Sequence, residues 1–423
     1  MRTNFTPEQL EDPHLKAAEA QLRSCVHCGI CTATCPTYVL LGNELDSPRG
    51  RIQLIQQMLE QDAKPSPVIV THIDRCLSCL ACVSACPSGV NYPRLIDQAR
   101  IHIEKKQARP WLQNLVRRGL GYVLPRRALL RPLIALARFV VPLKKILPTP
   151  IARLVSTASA LPVSQKHRSQ PKVSMPTARV ALHAGCVQEV VASHITLATT
   201  RVLAALNVEA VLVEGSGCCG ALNHHLGQEP QAKARASSLC ADIQTKEGAM
   251  TFDAVITTAT GCGSVIKDYG FQLGSSLGHS VGTRTRDVME YALSMLPPKA
   301  YPKQELRIAY HKPCSLLHSM KQASCGPDML RRLGFDVVEP SDQTCCGSAG
   351  VYNILEPDIA RTLQSQKVKA LQALNADIIV SPNIGCLAQI AAAANLPVLH
   401  PIELADWALN GTRPLIFKHL PVS

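Results

Sequence analysis

Aromatic side chains are scarce, at 4% of the 423 residues, so the cores of this chain have to be aliphatic. No charge-free apolar run reaches the ~18 residues that a bilayer-spanning helix needs, so the chain is not expected to cross a membrane. Its polar start, Met1-Arg-Thr-Asn-Phe-Thr-Pro, carries no signal-peptide pattern. Neither a Gly-rich dinucleotide loop after a strand nor a nucleophile elbow can be found. Substrate chemistry on a nicotinamide, a flavin or an activated serine is therefore not expected on this polypeptide.

Acidic residues are nearly missing from one stretch. Between Ile101 and Val155 there are twelve Lys or Arg against the single acid Glu104, a local balance of +11 out of a total of +13. The rest of the protein is close to neutral, and the basic stretch lacks the interleaved aromatics of single-strand binders, so nucleic acid is not an expected partner. The stretch alternates Leu, Trp and Phe with Arg and Lys and is broken by Pro125, Pro132, Pro142, Pro148 and Pro150. Short amphipathic helices of this kind either lie in a membrane interface or pack as a basic arm on this protein or a partner.

Cysteine, by contrast, is abundant, with eighteen residues. The run Cys25-Val-His-Cys28-Gly-Ile-Cys31-Thr-Ala-Thr-Cys35-Pro36 has the spacing C-x2-C-x2-C-x3-C-P, and Cys76-Leu-Ser-Cys79-Leu-Ala-Cys82-Val-Ser-Ala-Cys86-Pro87 repeats it. Three thiolates on one short loop hold a cubane, and the fourth turns toward a different cluster. Crossed ligation assigns Cys25, Cys28, Cys31 and Cys86 to one 4Fe–4S cluster and Cys35, Cys76, Cys79 and Cys82 to the other. A tetrahedral zinc has no use for the fourth Cys-Pro. Cysteines spent on cluster spacing in a long chain imply a reducing cytoplasm rather than a disulfide framework. Ser47-Pro48 reads as a helix cap, and forty-one positions separate Cys35 from Cys76, so the two-cluster domain is expected to be mainly helical.

From Arg179 the chain repeats itself. His183-Ala-Gly-Cys186, Cys218-Cys219-Gly220 and Cys262 recur as His311-Lys-Pro-Cys314, Cys345-Cys346-Gly347 and Cys386, at offsets of 128, 127 and 124. Each cysteine group follows a short β-branched run and precedes a helical pattern, which predicts a duplicated α/β domain with parallel sheets and the eight cysteines beyond the carboxyl ends of strands. Cys186, Cys218, Cys219, Cys262, Cys314, Cys345, Cys346 and Cys386 are therefore candidates for a further redox or metal site. His183 and His311 read either as buried groups supporting those cysteines or as ligands beside them. Cys240 and Cys325 stand outside the repeat as small hydrophobes. The expected domains are 1–105, a helical ferredoxin type with two clusters; 106–177, the basic arm and linker; 178–300 and 301–423, the two cysteine-rich repeats.

This order of parts resembles the iron–sulfur subunits of flavin-linked dehydrogenases: those of anaerobic glycerol-3-phosphate dehydrogenase, the lactate utilisation proteins and the methanogen heterodisulfide reductases. The wording of Asp46-Ser-Pro-Arg-Gly-Arg-Ile-Gln-Leu54, of both cluster motifs and of both Cys-Cys-Gly elements is most similar to the glycolate oxidase (glycolate dehydrogenase) iron–sulfur subunits. The resemblance implies an electron-transfer subunit without catalytic residues of its own, and a partner flavoprotein that oxidises glycolate to glyoxylate. Electrons would leave through two 4Fe–4S clusters toward a quinone, from a cytoplasmic complex peripheral to the inner face of the cell membrane. Its alternatives are a subunit of a lactate or glycerol-3-phosphate dehydrogenase, or a catalytic subunit like heterodisulfide reductase. Against the last, Val265 and Gln389 stand where those reductases place a fifth cysteine.

Overall fold

The computed structural model describes residues 1–139, 155, 171–213, 217–248, 250–341 and 344–417. The first third is helical: α1 (Pro13–Ser24), α2 (Pro36–Leu41), α3 (Pro48–Gln61), α4 (Pro67–Asp74), α5 (Ala81–Ala85) and α6 (Tyr92–Lys105). Three of these start on a side-chain cap followed by proline: Asp12-Pro13, Ser47-Pro48 and Ser66-Pro67, each cap oxygen accepting from a backbone N–H of the first turn. Helix α6 runs through the middle and packs on α1, α3 and α4. Its Leu95, Ile96 and Ile103 meet Leu22, Ile55 and Ile73 in an aliphatic core.

Helices α7 (Trp111–Val123) and α8 (Arg127–Phe139) follow. Then two sheets of four strands each form. The first has the order β2-β1-β3-β4, from β1 (Ala178–His183), β2 (Val208–Leu212), β3 (Ala254–Thr257) and β4 (Thr285–Asp287). The second has the order β6-β5-β7-β8, from β5 (Arg307–Tyr310), β6 (Asp336–Val338), β7 (Ile378–Val380) and β8 (Val398–Leu399). Every pairing is parallel, with registers such as Leu182 to Leu212 and Tyr310 to Val380. Identical strand order on either side of the duplication is the fold that the sequence spacing predicts. Of the central strands, β3 and β7 are buried along their length and β1 and β5 over their carboxyl-terminal residues, as a sheet covered on both faces requires.

The repeats pack on one another with pseudo-twofold symmetry. Helix α10 (Ser193–Ala205), which follows α9 (Cys186–Val191), packs on the helix Pro401–Asn410, and the helix Val288–Met295 packs on the helix Cys325–Arg332. One aliphatic core runs through both, and Arg201 pairs with Asp406 across it at 2.5 Å. The helical domain sits over the carboxyl ends of the strands. Arg94 grips Asp268 with two hydrogen bonds, Ser84 Oγ lies 2.8 Å from His318 Nδ1, and Tyr352 donates to the Arg75 carbonyl.

The basic arm has two faces. On the inner face Arg109 pairs with Asp74 and Glu104, Arg117 with Asp74, and Arg127 donates to the Gly185 carbonyl. Leu130 and Ile134 are buried in the core of the repeats, and α8 packs on α9. On the outer face Trp111, Leu115, Leu133, Leu136 and Phe139 are exposed. Part of the positive charge counted in the sequence is therefore internal wiring. Lys144, Lys145, Arg153 and the prolines from Pro142 to Pro150 lie outside the described residues. Among those described, no helix is long and apolar enough to cross a membrane. Cys240 is buried as expected, whereas Cys325 is half-buried, with its thiol 3.1 Å from Gln322 Oε1.

Candidate metal centre

The two cluster loops share a backbone. His27 and Gly29 in the first (φ 56° and 81°) and Ser78 and Leu80 in the second (φ 50° and 62°) are left-handed. Each pair is fifty-one residues apart, the same offset as the cysteines. Only one of the four is glycine, and each of the others costs about 1–2 kcal/mol in that region. Strain repeated at matching positions marks a loop shaped for what it holds.

These loops place cysteines of both motifs around each of two cavities. One small cavity is lined by Cys25, Cys28, Cys31 and Cys86. A second is lined by Cys35, Cys76, Cys79 and Cys82. Cys82 and Tyr92 border both. All eighteen cysteines are free thiols, and the five cysteines at the first cavity and four at the second, with Cys82 shared, are enough to hold a 4Fe–4S cluster at each. Burial pushes the Cys31 thiol up to about 11, and raises Cys79 and Cys82 further. Clustered thiols out of water give up their protons only to a cation, so loading is coupled to proton release.

Beside the second cavity lies a fully buried arginine that sequence reasoning passed over. Arg51 donates to the His72 carbonyl (2.7 Å), to Thr37 Oγ1 (3.0 Å) and toward Cys35 Sγ (3.7 Å), and pairs with Asp46 at 3.4 Å. Burial works against its charge, but Cys76, Tyr92, Cys35 and Asp46 outweigh burial and hold it protonated. Arg100 pins the loop from the other side, donating to Ser78 Oγ and the Cys76 carbonyl, both at 2.6 Å. Both arginines occupy helix positions next to apolar ones, so periodicity alone treats them as surface.

A third, larger cavity of about 750 Å³ opens where the helical domain covers the sheets. All eight repeat cysteines line it or stand just behind its lining, and the Cys76–Leu80 loop contributes to its wall. Part of this volume is what metal and sulfide at those cysteines would fill. The glycine of each Cys-Cys-Gly is required by its backbone conformation and by its lack of a Cβ, and its N–H serves the neighbouring sulfur. Gly220 and Gly347 are left-handed (φ 78° and 79°), a Cβ would meet the Ala232 or Ala360 carbonyl at 2.7 or 2.6 Å, and each N–H points at Cys218 or Cys345 Sγ at 3.4 Å.

In the first repeat, hydrogen bonds from Cys186 and Cys219 pull the Cys218 thiol down; Cys262 is pulled down by its hydrogen bond with Cys219 and then by the nearness of the His183 ring, which makes no well-formed hydrogen bond to it. The second repeat copies this: Cys345 is lowered by Cys314 and Cys346, and Cys386 by Cys346 and then His311. The ligand atoms of His183, Cys219 and Cys262 lie within 4.8 Å of one another, as do those of His311, Cys346 and Cys386. Both ring nitrogens of both histidines are buried without a hydrogen-bond partner among the described residues. An orphaned buried donor or acceptor costs about 1–3 kcal/mol, and the same cost at the same place twice fits a cation between imidazole and thiols. The second ferredoxin-type site and the second repeat adjoin, because Leu77 and Cys79 pack in one cluster with Cys314 and Cys345.

Asp97, His224 and His225 form a further group on the wall of the large cavity that sequence reading did not single out. The available signal was a break in symmetry. At the 127-residue offset of the Cys-Cys pair, His224 and His225 are replaced in the second repeat by Val351 and Tyr352.

Two family models match the chain. The family model described as a 4Fe-4S dicluster domain matches residues 21–90, and the one described as a cysteine-rich domain matches 180–267 and 308–391. The chain is 36% identical to the glycolate oxidase iron-sulfur subunit of Escherichia coli K12 over 97% of its length and all of that protein's. It is 28% identical to a probable glycolate oxidase iron-sulfur subunit of Bacillus subtilis, over 93% of this chain and 94% of that one. Identity to one of the subunits of a fumarate reductase (CoM/CoB) of Methanothermobacter marburgensis is 23%, over 92% of this chain and 73% of that protein. Two interleaved thiol sites, two sheets that each carry a His-flanked cysteine cluster, and a full-length match place this chain in the family of glycolate oxidase iron–sulfur subunits, proteins that transfer electrons through 4Fe–4S clusters.

Proposed function

We propose that this chain carries electrons from a partner flavoprotein, which oxidises glycolate to glyoxylate, to a quinone-class acceptor. The observation behind this reading is the row of cavities. The first opens at the surface, where Cys28 is exposed with its chain neighbours Val26 and Ile30. It shares Cys82 and Tyr92 with the second, and the second shares Cys76, Leu77, Ser78 and Leu80 with the large inner cavity. Clusters bound along such a row supply one-electron steps between a two-electron donor and a remote acceptor. The exposed apolar rim around Cys28 suits docking of the flavoprotein. His183 and His311 act as ligands together with the repeat cysteines. In the purified state, free of flavin and partner, the chain is expected to leave glycolate unoxidised with an artificial dye, while the complex turns it over. Glyoxylate formed by the isolated chain would assign catalysis to the Cys-Cys-Gly repeats instead.

Crossed ligation has its own test. Cys35→Ser should damage the cluster held by Cys76, Cys79 and Cys82, and leave that of Cys25, Cys28 and Cys31 intact. EPR or Mössbauer spectra in which only the latter changes would overturn the assignment.

The outer face of α7 and α8 is read as the contact with the cytoplasmic leaflet. A basic side chain near an anionic surface contributes on the order of 1 kcal/mol, and salt screens it. Arg126 stacks on Tyr122 at 3.6 Å on this side. Arg127, which the fold uses at Gly185, is left alone. Arg126→Gln with Arg131→Gln should shift the complex toward the soluble fraction at low salt, and by less at high salt, where the lost attraction is already screened. Unchanged fractionation at both salt levels would make the helices a packing arm only.

A further inference from the structure

The large cavity holds an acid–base pair that the electron relay itself does not need. Helix α11 (Ala221–His225) starts at the left-handed Gly220 and projects its last two residues toward α6. His224 Nε2 lies 3.0 Å from Asp97 Oδ2, and no contact involves its other ring nitrogen among the described residues. The His225 ring stands 5.6 Å from that of His224, and its Nδ1 is buried without a partner. Leu80, Ile96, Leu130, Ile134 and Leu222 give the cavity an apolar wall, and Arg100 and Asp268 stand in its charged part. An acid–base pair set beside an apolar wall is an arrangement by which a protein orients an organic ligand.

We propose that a quinone-class acceptor is reduced in this cavity, and that His224, held by Asp97, donates a proton to its carbonyl oxygen from Nδ1. The inference rests on the reading of the chain as an electron carrier to such an acceptor. Reduction of a quinone to a hydroquinone takes two electrons and two protons. Glycolate supplies the electrons as it becomes glyoxylate, and the iron–sulfur relay delivers them singly. Each carbonyl π bond becomes a C–O single bond and each oxygen gains an O–H. His224 gives one proton from Nδ1 to the nearer oxygen and is recharged there by water, while the far oxygen takes its proton from solvent.

The charged neighbours support a standing imidazolium. Burial works to lower the His224 pKa, but Asp97 and then Asp268 outweigh it, with Arg100 opposing, and the net shift is upward. Burial, the charge on His224 and Arg100 push His225 down to about 3, with Asp97 opposing, so it stays neutral. His224 is thus charged, and able to donate, below its raised pKa. A route for a lipid-soluble acceptor is also present. Leu130 and Ile134 of α8 line the cavity, while Leu133 and Leu136 of the same helix are exposed on the other side.

The test compares two acceptors on the intact complex. A short-chain ubiquinone needs protons, whereas ferricyanide takes one electron and none. His224→Gln should lower glycolate-driven quinone reduction on the order of a hundredfold, as loss of a general acid does, and leave ferricyanide reduction unchanged. Asp97→Asn, which removes a positioning residue, should move the alkaline limit of quinone reduction to lower pH. Leu222→Trp, which fills the cavity, should abolish fluorescence quenching of a hydroxyquinoline N-oxide inhibitor. Quinone reduction by His224→Gln at the original rate and pH profile, or inhibitor binding that survives Leu222→Trp, overturns this proposal alone. A stoichiometric divalent metal lost on His224→Gln also overturns it, because Asp97, His224 and His225 would then be a metal site. An unsubstituted complex that reduces ferricyanide but no quinone overturns the acceptor reading as well.

Discussion

Cys79→Ser is expected to reduce glycolate-driven quinone reduction by the assembled complex to background, while glycolate still bleaches the partner's flavin once in a stopped-flow mixing experiment. Cys79 lies at the junction between the second ferredoxin-type site and the second repeat, packed in one cluster with Cys314 and Cys345. A serine oxygen is a poor substitute for a soft thiolate, and a broken link leaves a one-electron relay without a parallel path. The first site, on the surface around Cys28, is untouched. Retained flavin bleaching with lost turnover would show that the lesion is in transfer rather than in assembly. Quinone reduction that survives would place the exit upstream of Cys79, at the exposed first site.

The second large effect is expected on stability. Arg51→Met removes a fully buried cation from Asp46, which is itself buried and also faces His72 and Arg75. Breaking one side of a buried ion pair costs about 3–5 kcal/mol, because the other charge stays behind in low dielectric. The His72 carbonyl and Thr37 hydroxyl lose their partner at the same time. Urea titration of the loaded protein, followed by the visible absorption of the clusters, should show the helical domain failing well before the repeats. Since Arg51 also points a donor at Cys35 Sγ, the second cluster should become harder to reduce: hydrogen bonds to sulfur and nearby positive charge raise a cluster's potential. Arg51→Lys should recover part of the stability but not the forked geometry. A loss below about 1 kcal/mol for Arg51→Met, against that expected range, would mean that His72 and Arg75 neutralise Asp46 without it.

Much of the fold was legible because it is written in local spacing. The C-x2-C-x2-C-x3-C-P runs, the cap at Ser47-Pro48, and the alternation of β-branched runs with helices each depend on residues a few positions apart. So does the duplication, which the two sheets repeat strand for strand. Local chemistry decides these because a loop, a cap or a strand face forms wherever its own short segment favours it. The histidines before Cys186 and Cys314 were visible in sequence, but only their burial without partners separates a supporting group from one placed to bind. The two-faced arm, the seating of the second cluster loop against the second repeat, and the approach of Asp97 to His224 across 127 positions were decided by the tertiary structure. Contacts of that range come from how whole domains dock, a balance summed over many weak surface terms, and no spacing rule within a segment encodes that sum.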